Sequence, residues 1–87
     1  MKIKTGFILR SVGGENVVVP VGEMSKKFHG MITLNESSAF LWKFFNADHT
    51  VDEAVAALLG EYDVDEATAK ADVEKFADTL LKNGFAE

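Results

Sequence analysis

The spacing of hydrophobic residues changes near residue 35 and divides the chain into two kinds of predicted element. Before that point, apolar residues come in short runs rich in Val, Ile and Phe, which is typical of β-strands. After it, they recur every three or four residues, as on the buried face of an α-helix. The pattern predicts strands followed by helices, which is an α+β fold with the helices on one face of the sheet.

The stretch GFILRSVGGENVVVPVG predicts a β-hairpin with Gly13 and Gly14 as its two-residue turn. Glycine readily adopts the positive φ that tight hairpin turns require. The resulting register contains two apolar cross-strand pairs, Leu9 with Val18 and Ile8 with Val19. Both faces of the hairpin are then partly apolar. We expect the second face either to be covered by the termini or the 23–29 loop, or to contact a partner.

Residues 23–29 are predicted to form a loop, and residues 30–34 (GMITL) a third short strand. Asn35 then caps helix one, which runs from about 36 to 46, because its side chain can accept a bond from a first-turn amide. This helix has more large apolar side chains than one face can hide, namely Phe40, Leu41, Trp42, Phe44 and Phe45. We therefore expect one of them, Trp42, to reach a partner or a second copy.

Two further helices follow, each with a recognisable start. Thr50 and Glu53 form a predicted capping box at the start of helix two. Asp63 or Asp65 caps helix three, which runs to about residue 83 with Gly84 as its stop. The order β-β-β-α-α-α predicts an N-terminal three-stranded antiparallel sheet followed by three α-helices. This is a winged-helix-like fold, in a single domain over residues 1–87.

Composition and charge narrow the class of protein. The formal net charge is −5, and an acidic surface repels phosphate, so we expect no nucleic-acid partner. Cysteine is absent, which fits a reducing compartment. No apolar run approaches the ~20 residues that span a bilayer, and the N-terminal stretch MKIKTGFILR lacks the apolar core of a signal peptide. We expect a cytoplasmic protein without a membrane partner.

The residues offer little for catalysis. His29 and His49 lie in predicted loops without the spacing of metal ligands. Ser37 and Ser38 are first-turn polar residues outside a nucleophile-elbow pattern. The chain contains neither glycine-rich phosphate-binding motif. We therefore predict a protein that is not an enzyme and that holds no metal or cofactor.

The residues also bear on three non-enzymatic alternatives. An acyl carrier protein is disfavoured, because NESSAF lacks the Asp-Ser-Leu pattern at a helix start and a hairpin does not suit an all-helical bundle. A winged-helix DNA-binding protein would read bases with helix three, which has five acidic residues, three lysines and no arginine. A structural docking or dimerisation module would use the second apolar face of the hairpin.

Residues 5–87 resemble the PqqD family, the coenzyme PQQ synthesis protein D type. The resemblance is most specific in GMITLNESSAFLW, which includes Gly30, Leu34, Asn35 and Trp42. It extends to the Thr-x-x-Glu start of helix two. It also covers the spacing of four residues at the end of helix three, Val73, Phe76, Leu80 and Gly84.

The resemblance implies a recognition element for ribosomally made, modified peptides. Such domains bind the leader of a precursor peptide as an extra antiparallel strand beside strand three, against helix three. They then present it to a modifying enzyme, often a radical SAM protein, as in PQQ biosynthesis. Apart from the resemblance, the second apolar face of the hairpin leaves a homodimer open. Carried over to this chain, the resemblance implies nine peptide-binding residues: Met31, Ile32, Thr33, Leu34, Lys70, Val73, Glu74, Ala77 and Leu81.

Overall fold

In a computed structural model, which describes residues 1–28 and 31–87, the chain begins with the expected hairpin. Strand β1 (Phe7–Val12) pairs antiparallel with β2 (Glu15–Pro20). Gly13 and Gly14 form the turn with φ of 57° and 84°, the left-handed region that a side chain would strain. The predicted register is confirmed in both of its apolar pairs, Leu9 with Val18 and Ile8 with Val19.

Strand β3 (Ile32–Leu34) pairs antiparallel with β2 and completes a sheet of order β1-β2-β3. The three-stranded antiparallel sheet is therefore confirmed, although β3 is shorter than the predicted strand. Met31 lies before β3 and is 67% exposed. Two residues discussed from the sequence, His29 and Gly30, lie outside the described residues.

The loop predicted over 23–29 is wrong in one respect, because a short helix, α1 (Met24–Lys27), lies within it. Met24 is partly buried and packs against the core. It also lies close to Gly6, where a Cβ atom would come within 2.4 Å of Met24 Cγ. One anchoring side chain is enough to hold a single turn, but a single turn is too short to show helical periodicity in a sequence.

The remaining helices, α2 (Glu36–Phe44), α3 (Val51–Glu61) and α4 (Glu66–Lys82), match the three predicted ones. Asn35 Oδ1 accepts a hydrogen bond from the Ser38 amide at 2.8 Å. Thr50 and Glu53 form the predicted capping box. Of the two candidates at the third start, Asp65 is the cap, since its Oδ1 accepts from the Thr68 amide at 2.7 Å.

The core lies between the sheet and the helices, and it contains Trp42 of α2. The expectation that Trp42 reaches a partner is wrong, because its side chain is only 1% exposed. Its indole instead meets the rings of Phe7 and Phe85 edge-on, with centroids 6.4 Å and 6.1 Å away. Phe40 and Phe44 remain half-buried. Phe40 packs on Tyr62.

The second face of the hairpin is buried at some positions and exposed at others. Val17 is buried and Val19 is half-buried, whereas Ile8 is 41% exposed.

The chain ends lie together, since Ile3 and Ala86 form an antiparallel bridge. Among the helices of the described residues, none has the length and apolar character to cross a membrane.

Candidate functional site

A groove of about 450 Å³ follows the outer edge of β3. All three strand residues, Ile32, Thr33 and Leu34, line it. Successive residues of a strand point to opposite faces of the sheet, so a cavity that touches all three runs along the edge and not over one face. We call this cavity the β3 groove; its other lining residues are Asn35, Ser37, Ser38, Leu41, Asp72, Lys75, Phe76, Thr79 and Leu80.

The backbone of β3 is what makes the groove chemically useful. Within the described residues, β3 is the last strand of the sheet and pairs only with β2. An edge strand has a row of amide and carbonyl groups that no neighbouring strand satisfies. These groups can form a hydrogen-bonded ladder with an added extended peptide.

Helices α2 and α4 build the remaining walls of the groove. From α4 come Asp72, Lys75, Phe76, Thr79 and Leu80, at the spacing of one helix face. The floor is apolar, because Leu34, Leu41, Phe76 and Leu80 are all buried there. The rim is polar, with hydroxyl groups from both helices. The groove thus combines an open backbone edge with a floor that can take apolar side chains.

The rim has one acidic and one basic residue, Asp72 and Lys75, so it has no strong net charge.

At the end of β3, the Asn35 side chain is occupied by capping, since its Oδ1 accepts from both the Ser38 amide and the Ser37 hydroxyl. Asp65 fixes the start of the α4 wall. The backbone hydrogen bond from Thr68 holds the pKa of the Asp65 carboxyl below its usual value.

The structure places the predicted strand residues at the groove, except Met31, which lies just before β3. It does not place the predicted helix residues there. Val73 and Ala77 are buried in the protein interior. The other three are exposed and are absent from the groove lining: Lys70, Glu74 and Leu81.

The reason is the rotation of α4 about its own axis. At 3.6 residues per turn, the groove residues Asp72, Lys75 and Thr79 lie on one flank of the buried stripe, and Lys70 and Glu74 lie on the other. The sequence pattern reveals the stripe but gives no signal for which flank faces β3. Phe76 and Leu80 belong to the buried core, and they also form the floor of the groove.

His49 is not among the residues that line the β3 groove, and its side chain has a packing role. The His49 ring stacks on Phe44 with centroids 4.0 Å apart, and His49 Nδ1 lies 3.5 Å from Glu53 Oε1. Over residues 1–28 and 31–87, no cluster of three or more His, Cys, Asp or Glu side chains could hold a metal ion. The arrangement that the structure does show is suited to binding an extended chain.

Comparison with known proteins identifies the family and a solved structure of similar fold. The family model for coenzyme PQQ synthesis protein D (PqqD) matches residues 10–86, which confirms the resemblance seen in the sequence. No curated protein matches the chain. The solved structure of TbiB1 in complex with the TbiA(beta) leader peptide has a similar fold, with a TM-score of 0.77 at 22% identity. That likeness covers 100% of this chain and 95% of the TbiB1 chain.

Proposed function

This chain belongs to the PqqD family, and we propose that it is a non-catalytic module that binds the leader of a ribosomally made precursor peptide. The observation that carries this proposal is the β3 groove, in which an open strand edge lies above an apolar floor. TbiB1, which shares the fold, was solved with a leader peptide, and this supports a peptide as the ligand here.

The leader would bind by adding a strand to β3. Backbone hydrogen bonds to residues 32–34 would give affinity that depends little on peptide sequence. Every second peptide side chain would then point to the floor formed by Leu34, Phe76 and Leu80. Those side chains would give specificity, because the floor is apolar and excludes water. A dissociation constant near micromolar, about −8 kcal/mol, is reasonable for such a contact.

On α4, the residues closest to this peptide would be those of the groove wall, Lys75, Phe76 and Thr79. The residues implied by the family resemblance, such as Lys70 and Glu74, would contact it only if the peptide crossed over α4. The geometry favours the first set, and the two sets can be separated by mutation.

The bound leader would be presented to a modifying enzyme, for which the family resemblance suggests a radical SAM protein. The module would supply no reacting group and would act by holding the peptide in a defined orientation. The encounter would take place in the cytoplasm, where ribosomes make the precursor.

The test is an NMR titration of ¹⁵N-labelled protein with peptides selected for binding from a random library by mRNA display. We expect the largest amide shifts at residues 32–34 and at Lys75 and Thr79, and small shifts at Lys70 and Glu74. A DNA duplex is the negative control. Shifts concentrated on β1 would contradict binding at β3, and a selection that enriched no peptide would contradict the function itself.

A further inference from the structure

A second cavity, of about 490 Å³, lies beyond the Leu34 end of the β3 groove. Its apolar wall comes from the end of α3 and the segment before α4, with Leu58, Tyr62 and Val64. Leu58 is buried, Tyr62 is half-buried and Val64 is 38% exposed. We call this cavity the α3 pocket.

The α3 pocket is continuous with the β3 groove, because three residues line both cavities: Asn35, Ser37 and Asp72. A peptide that leaves the edge of β3 at Leu34 therefore meets the α3 pocket next. Both cavities belong to one path along the surface.

The charge of the α3 pocket differs from that of the groove. Its lining includes two carboxylates, Glu36 and Asp72, and no lysine or arginine. The partial positive charge at the start of α2 is offset there by the Asn35 cap and by Glu36 itself. The nearest basic residue on α4 is Lys75, which lines the groove and not the pocket.

We propose that the α3 pocket binds a lysine or arginine side chain of the leader peptide, as an extension of the binding mode proposed above. Lysine and arginine have a long apolar stem and a charged head. The stem would lie along Leu58, Tyr62 and Val64, and the head would reach the carboxylates of Glu36 and Asp72.

The position of that residue in the peptide follows from strand direction. A strand that pairs antiparallel with β3 has its N-terminal part beside Leu34, where β3 ends. The basic residue therefore lies a few residues N-terminal to the segment that pairs with β3. This makes the proposal specific about sequence position as well as residue type.

The test is an mRNA display selection with random peptides of about 12 residues, which at about 3.3 Å per residue can span both cavities. Three proteins are used as bait: the wild type, the variant Glu36→Lys, and the control Asp78→Lys. Glu36 lines the α3 pocket and not the β3 groove, so its replacement leaves the proposed strand-addition site unchanged. The control reverses one acidic charge on α4 outside both cavities, so it reports general electrostatic attraction.

We expect all three proteins to enrich peptides with the same apolar segment. Only the wild type and the control should also enrich lysine or arginine N-terminal to it. Replacing that residue by norleucine should weaken binding to the wild type about threefold to fivefold, which is the upper part of the range for an exposed ion pair. The same replacement should not weaken binding to Glu36→Lys, because the introduced ammonium group offsets the Asp72 carboxylate.

Enrichment of the apolar segment without a basic residue would overturn this inference and leave the proposed function standing. Equal enrichment of basic residues by wild type and Glu36→Lys would overturn it as well. Failure to enrich any peptide would remove the proposed function and this inference together.

Discussion

The two edges of the sheet, β1 and β3, offer cavities of nearly equal size but of different chemistry. A cavity of about 460 Å³ follows β1, and one of about 450 Å³ follows β3. β1 is six residues long and β3 only three. Neither size nor strand length, therefore, favours the β3 edge as the binding site.

The two cavities differ in the charge and polarity of the residues that line them. The β1 cavity is lined by Arg10 and Lys43 and by no acidic residue. Unpaired charges beside an edge strand discourage the addition of another strand. The β3 groove has an apolar floor, hydroxyl groups and one residue of each charge. Wall chemistry, more than volume, therefore distinguishes the two edges as sites for a peptide.

The largest expected difference between the two edges is the effect of a mutation on the free energy of unfolding. Trp42 lines the β1 cavity and is almost fully buried, so Trp42→Ala should lower the free energy of unfolding by about 3–5 kcal/mol. Thr33→Ala, at the exposed β3 edge, should cost less than about 1 kcal/mol. Urea denaturation of both variants measures these costs. A similar cost for both would contradict the placement of Trp42 in the core and of Thr33 at the exposed edge.

The next effect concerns binding. Thr79 is exposed on the α4 wall of the β3 groove, so Thr79→Trp should fill the groove and weaken a selected peptide at least about tenfold, or about 1.4 kcal/mol. Ser11→Trp places the same ring in the β1 cavity and should leave affinity unchanged. Fluorescence anisotropy with a labelled peptide measures both.

A third variant, Glu74→Trp, places the ring on the opposite flank of α4 and should also bind normally. If it binds as weakly as Thr79→Trp, the peptide contacts the flank implied by the family resemblance and not the groove wall. If Ser11→Trp is the weak variant, binding occurs at β1.

A smaller effect tests how firmly the end of β3 is held. Asn35 caps α2 beside the β3 groove, so Asn35→Ala should lower the free energy of unfolding by about 1 kcal/mol. Asn46→Ala is the matched control beside the β1 cavity, and it should change stability by less than about 0.5 kcal/mol. Equal losses of unfolding free energy in urea denaturation would show that the Asn35 cap stabilises the protein no more than an ordinary surface residue does.

The smallest effect depends on pH and concerns the α4 wall. The Thr68 amide lowers the pKa of Asp65 in the folded protein. The hydrogen bond to the ionised Asp65 carboxylate therefore contributes fully to the free energy of unfolding above the ordinary pKa of this carboxyl. That contribution is lost as the pH falls through the lower pKa of the folded protein. Asp65→Asn keeps a good cap without a titrating group.

Between about pH 5 and pH 2, the unfolding free energy of the wild type should therefore fall more steeply than that of Asp65→Asn. Asp63→Asn, which removes a charge two residues away, is the control and should follow the wild type. Parallel curves for wild type and Asp65→Asn would show that this cap contributes no pH dependence.

The sequence by itself determined the local features of this protein. Hairpin register follows from the Gly13-Gly14 turn, because a two-residue turn fixes which residues pair. The starts of α2 and α3 follow from Asn35 and Thr50, because each cap needs only residues within its own first turn. For α4 the sequence left Asp63 and Asp65 as candidates, and the structure shows that Asp65 is the cap. Element order then fixed the α+β class, and the motif around LNE indicated the family.

Only the tertiary structure decided which surfaces meet. Apolar periodicity shows that α4 has a buried stripe, but its rotation against β3 depends on how all the helices pack together. That rotation placed Asp72, Lys75 and Thr79 in the groove instead of Lys70 and Glu74. Likewise, Trp42 is buried because Phe7 and Phe85, far away in sequence, close around it. Contacts between distant segments leave no periodic signal in a single sequence, and they are what shape the candidate site.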